Sequence, residues 1–122
     1  MMMALTPGIF LAAAAALGSF LGILYLRGLR RKPVLIGTHL LLGAAGLEQM
    51  AMMLRGAPNG AVVQPGVLGN LAAGFVAAAM FSGLVAALLP ARSRRVIDVA
   101  LATHASVGFA GLALFLAWAS NL

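Results

Sequence analysis

The chain has no cysteine, so neither disulfides nor thiolate metal sites are available to it. Charge is nearly as scarce. Charged residues make up 8% of the 122 positions while 63% are hydrophobic, which is too little charge to cover the surface of a soluble domain of this length. There are only two acids, Glu48 and Asp98, and only two histidines, His39 and His104. The composition is that of a membrane protein with little chain outside the bilayer.

Four apolar runs have spanning length: Gly8 to Leu26, Val34 to Leu54, Val67 to Leu89 and Val96 to Trp118. Each approaches the roughly 20 residues that cross about 30 Å of hydrocarbon. The net charge of +6 does not mark a nucleic-acid surface, because the basic residues fall in two loops. Arg27, Arg30, Arg31 and Lys32 occupy the first, and Arg92, Arg94 and Arg95 the third. Positive loops stay cytoplasmic, which puts the second loop and both termini on the opposite side, as in a bacterial inner membrane. No basic residue precedes the first apolar run and four follow it, the charge order of an N-out anchor rather than a cleaved signal. The second loop, Arg55 to Gly66, holds Pro58, Asn59, Gly60, Pro65 and Gly66, which is turn chemistry without a catalytic cluster.

The two histidines sit in one motif written twice. Thr38, His39, Gly43, Gly46 and Leu47 return 65 positions later as Thr103, His104, Gly108, Gly111 and Leu112. Laying residues 8–47 over 73–112 gives 15 identities in 40, against roughly a tenth expected by chance in so biased a composition. The matches include Phe10 with Phe75, Ala12 to Ala14 with Ala77 to Ala79, Gly18 with Gly83, and Arg27 and Arg30 with Arg92 and Arg95. The expected fold is therefore all-α: one transmembrane domain over residues 1–122, a four-helix bundle of two tandem hairpins. The repeats run from about 8 to 54 and from about 67 to 118. A two-span unit returns the chain to its starting side, so both copies share one orientation and a pseudo-twofold axis runs along the membrane normal.

Within a helix, positions i, i+4 and i+7 share a face, so each motif sets one imidazole above two glycines. The second and fourth helices run the same way, and their histidines lie at matching depth near the cytoplasmic side. A twofold axis brings the rings face to face. An ionisable group in a bilayer is costly and marks a pathway, a ligand or a cofactor. Imidazole suits iron, and the expectation is one b-type haem with His39 and His104 as axial ligands. Gly43, Gly108, Gly46 and Gly111 would open the groove for the macrocycle, and Arg27, Arg30, Arg92 and Arg95 would neutralise its propionates. The second ring nitrogens are expected to bond to the carbonyls of Leu35 and Ala100 or to neighbouring threonines. The first and third helices, rich in Gly, Ala and Ser, read as packing walls.

This arrangement resembles the four-helix, bis-histidine membrane cytochromes b and the four-helix halves of haem A synthases, on the four spans and the positions of His39 and His104. The resemblance implies electron transfer between a membrane donor such as quinol and a partner redox protein, so an electron carrier or subunit rather than an autonomous enzyme. A single histidine pair implies a single haem. Two alternatives stay open: a cofactor-free accessory or assembly subunit of a larger membrane complex, and a subunit binding one chlorophyll-type pigment per histidine.

Glu48 lies nine positions past His39, about half a turn round the helix, and faces away from the proposed cofactor. With Gln49 it has no repeat counterpart, which makes it a candidate contact for a quinone head group or a partner subunit. Asp98 follows Arg94 by four and reads as a helix-start acid with a local partner. Met50, Met52 and Met53 find nothing to complete a copper site.

Overall fold

The computed structural model describes residues 2–56, 66–90 and 93–122, without the side chains of Met2 and Met3. Arg92 and the turn residues Pro58, Asn59, Gly60 and Pro65 lie outside the described residues. The described chain is all-helical: α1 spans Met2–Leu26, α2 Pro33–Arg55, α3 Gly66–Leu88 and α4 Arg94–Ala119. All four are long and apolar enough to cross a membrane.

The helix ends follow local chemistry. Gly28 closes α1 at φ 68°, where its amide bonds to the Tyr25 carbonyl at 2.9 Å and the Leu29 amide reaches the Leu24 carbonyl at 3.0 Å. That pair of bonds is a Schellman closure, which needs a left-handed residue and so favours glycine. Pro33 opens α2 at a position where its missing N–H costs nothing. Gly56, at φ 88°, ends it. Helix α1 begins six residues earlier than the sequence suggests, with Pro7 inside it. A proline so near the start removes one backbone bond rather than breaking a run, and Pro7 is fully buried.

Packing is densest between α1 and α2 and between α3 and α4. The seams α2/α3 and α1/α4 are sparser, and the diagonal helices stay apart at the backbone, so α2 and α4 meet through side chains. The result is two hairpins laid side by side. Their shared core sits at the end that holds the start of α1 and the end of α4: Ala4, Leu11, Met50, Ala72, Val76, Phe115 and Trp118. Phe115 and Met50 are fully buried, and the Phe115 ring stacks edge-on to Trp118 with centroids 6.0 Å apart. Outward, the bundle presents large apolar side chains such as Leu41 and Phe81, each 70% exposed. No charged or polar side chain is buried among the described residues.

At the opposite end, Asp98 differs from expectation. Its partner is not an arginine of its own helix but Tyr25 of α1, whose hydroxyl donates to the carboxylate at 2.6 Å. Glu48 is exposed, as its offset from His39 implies.

Candidate functional site

The two histidines meet across the seam between the hairpins. His39 projects from α2 and packs first on α1: its Nδ1–H donates to the Ala14 carbonyl at 2.9 Å. His104 repeats this on the other hairpin, donating from Nδ1–H to the Ala79 carbonyl at 2.8 Å. A carbonyl only accepts, so each Nδ1 carries the proton and each neutral ring is left with a bare Nε2.

Those two nitrogens face one another at 3.5 Å. The ring centroids are 5.8 Å apart and the planes stand at 89°. The centroid separation exceeds the nitrogen separation by about two ring radii, so both Nε2 atoms lie near the line joining the centroids and their in-plane lone pairs point at each other. Two acceptors opposed in this way repel. A direct hydrogen bond would need a proton on one Nε2, hence a cation among apolar helices, while Asp98, the acid nearest His104 in sequence, is engaged by Tyr25. A metal between them satisfies both lone pairs at once. Such an ion would be held by the two Nε2 atoms, one from each hairpin.

The imidazoles lie this close to α1 and α3 because of two glycines. A Cβ built on Gly18 would stand 2.7 Å from His39 Cε1, and one built on Gly83 would stand 2.7 Å from His104 Cε1. The sequence matches Gly18 with Gly83 and reads both as small residues of packing-wall helices, not as seats for the imidazoles. The sign was already there, since the duplicated Ala14–Gly18 and Ala79–Gly83 spacings accompany the duplicated histidines. The expected carbonyls of Leu35 and Ala100 are not the Nδ1 partners. The rings turn instead to the neighbouring helices, where the missing side chains of Gly18 and Gly83 bring them within reach of the Ala14 and Ala79 carbonyls. Thr38 bonds back to the Val34 carbonyl at 2.8 Å and does not touch the ring.

The four motif glycines divide into two kinds. A Cβ on Gly43 meets only Met80 Cγ at 4.0 Å, and one on Gly108 meets only Ala79 Cβ at 3.7 Å. Both positions leave room beside the ligands. A flat ring in the seam would displace Met80, a flexible, half-buried side chain beside an apolar α2/α3 groove that Leu40, Ala44, Phe81 and Leu84 also line. Gly46 and Gly111 are different: their Cβ positions fall 2.7 Å from Leu11 Cδ2 and 3.1 Å from the Val76 backbone nitrogen. They close the helices of each hairpin together and do not line a groove.

Of the basic residues, Arg27 and Arg30 lie in the α1–α2 connection and Arg95 in the first turn of α4, all exposed. No cluster of three or more His, Cys, Asp or Glu side chains forms among the described residues, so any ion here has the two imidazoles as its protein ligands. The donor set, two imidazole nitrogens, suits a haem iron, and Gly43 and Gly108 put no side chain beside it. The chain matches no protein-family profile, no curated protein and no solved structure.

Proposed function

We propose that this is a membrane electron-transfer protein that holds one b-type haem between α2 and α4, with His39 and His104 as its axial ligands. The observation that carries the reading is the pair of opposed Nε2 atoms 3.5 Å apart, which are left without protons when each Nδ1–H is given to a carbonyl. Each is oriented by an Nδ1–H bond to a backbone carbonyl, the outer-shell partner that metal-bound imidazoles regularly have. When bound, the iron supplies one-electron chemistry. The chain's own residues set the tautomer, aim both nitrogens at one point and keep water away with Leu40, Met80 and their neighbours.

On this reading the bundle spans the bilayer as two duplicated hairpins, with both termini outside the cytoplasm, and the basic connections stay inside. His39 lies six residues into α2, about 9 Å from its start, so the site is near the cytoplasmic face. Arg27, Arg30 and Arg95 would neutralise the propionates. One haem near one face cannot carry an electron across the membrane. The protein therefore relays electrons locally, from a membrane donor such as quinol to a partner redox protein, and exposed Glu48 with Gln49 is a contact for a quinone head group or partner subunit.

The test is the absorption spectrum of protein purified from haem-replete cells, with His39→Ala and His104→Ala beside the wild type. The reading requires a low-spin bis-imidazole spectrum that both variants lose to a similar extent, and that Glu48→Gln keeps. A colourless wild type would favour the cofactor-free accessory subunit, and far-red bands a chlorophyll-type pigment. Either result, or a normal spectrum in one histidine variant, ends the haem reading.

A further inference from the structure

Resting on the haem reading, we propose that Gly18 and Gly83 are positioning residues that fix the two axial imidazole planes perpendicular to each other. Each ring is held at two points on the neighbouring helix. Its Nδ1–H is tied to the carbonyl of Ala14 or Ala79, and the Cε1 edge lies against the bare backbone of Gly18 or Gly83, four residues further along the same helix face. The bond fixes where the ring points, and the glycine contact fixes how it is rotated about that direction. A ring so held cannot spin about its Nε2–metal axis without breaking the bond or striking the helix.

The duplicated cradle yields planes at 89°. For a low-spin ferric iron this angle has an electronic consequence. Parallel imidazoles overlap one of the two metal π orbitals more than the other and split them. Perpendicular imidazoles act on both alike, leaving them nearly degenerate, which gives a strongly anisotropic paramagnetic resonance signal. The angle is set from outside the ligands, by residues on α1 and α3 that touch no iron.

Alanine is the smallest change that tests this. Its methyl group would sit 2.7 Å from the ring carbon in either position, so the imidazole must tilt or move away from its carbonyl. Gly22 on α1 and Gly74 on α3 are matched controls, since nothing lies within 4 Å of a Cβ at either. The experiment is electron paramagnetic resonance of the oxidised wild type and of Gly18→Ala, Gly83→Ala, Gly22→Ala and Gly74→Ala. Thermal unfolding is followed in parallel to separate misfolding from ligand rotation. The wild type should give the strongly anisotropic signal. Gly18→Ala and Gly83→Ala should each shift it toward the rhombic form or lose it, while Gly22→Ala and Gly74→Ala leave it unchanged. A rhombic wild-type signal, or an unshifted signal in a folded Gly18→Ala protein, overturns the proposal while haem binding itself stands. Should both test variants fail to fold, the wild-type signal alone decides. Absence of any haem signal would instead remove the reading beneath it.

Discussion

Tyr25 on α1 and Asp98 on α4 tie the two hairpins together through a phenol–carboxylate hydrogen bond of 2.6 Å. The positions 65 residues away are Pro90 and Pro33, so the other seam, α2/α3, has no equivalent clasp. Because the two groups act as a unit, Tyr25→Phe and Asp98→Ala should each lower the thermal midpoint in detergent, and the double variant should fall no further than the worse single one. Additive losses in that cycle would mean that the bond does not hold the seam.

The motif glycines should separate cleanly by what their enlargement damages. At Gly111 an alanine methyl would meet the Val76 backbone nitrogen at 3.1 Å and Phe75 Cβ at 3.2 Å, neither of which yields easily. Overpacking of that kind costs about 1–3 kcal/mol, read as reduced unfolding stability. Gly46→Ala should cost at least as much, because its methyl would stand 2.7 Å from Cδ2 and 2.9 Å from Cγ of Leu11, a side chain buried in the core. Gly43→Leu and Gly108→Leu meet no clash at Cβ but would extend into the place of the proposed macrocycle, so on the haem reading they should abolish the spectrum. Equal stability losses at all four positions would contradict this division.

How much of this was legible in the sequence depends on the range of the interaction. Helix number and placement follow from hydropathy, a local property, and the four helices lie within a few residues of the expected runs apart from the start of α1. The meeting of His39 with His104 was inferred from the 65-residue offset, because equivalent positions in equivalent helices lie at equal depth. What the sequence hid was which helix face each residue presents to which neighbour. Gly43 and Gly46 look alike in a motif, yet a rotation of about 300° separates them on the helix, and only packing shows that Gly46 meets Leu11. The Nδ1 partners were missed for a similar reason. The carbonyls of Ala14 and Ala79 belong to residues with no polar side chain, and nothing in their identity announces an acceptor. Tyr25 and Asp98 are 73 positions apart and neither has a counterpart in the other repeat, so no periodicity links them.

Topology offers a prediction independent of any cofactor. Lys32 and Ser93 precede α2 and α4 in the two connections expected on the cytoplasmic side. The chain has no cysteine, so Lys32→Cys and Ser93→Cys each introduce a unique label. Both should react with a membrane-impermeant maleimide only in inverted vesicles, and a cysteine at Leu122 only in right-side-out ones. Labelling of position 32 or 93 from the outer side would reverse the bundle and put the histidine pair near the outer face.

The two cradles differ in one polar atom, and that difference should be readable as a reduction potential. Ser82 donates its hydroxyl to the Ala79 carbonyl at 3.0 Å and lies 3.4 Å from His104 Nδ1. The His104 Nδ1–H therefore shares its acceptor. In the first hairpin the matching position is Leu17, so no side-chain hydroxyl competes with His39 for the Ala14 carbonyl. A carbonyl that already accepts one bond draws the second proton less strongly, so His104 has less imidazolate character and donates less charge to a bound iron. Removing the competitor with Ser82→Ala should strengthen the Nδ1–H bond, favour the ferric state and lower the midpoint potential. The shift should be smaller than the ~59 mV that a tenfold change in relative ferric and ferrous affinity produces for one electron. Gly22→Ala, which changes no polar contact, should leave the potential where it is. A potential that rises in Ser82→Ala would mean that the hydroxyl donates nothing to Ala79 and instead accepts from His104, in which case its loss weakens the ligand and the order of the two bonds must be reversed.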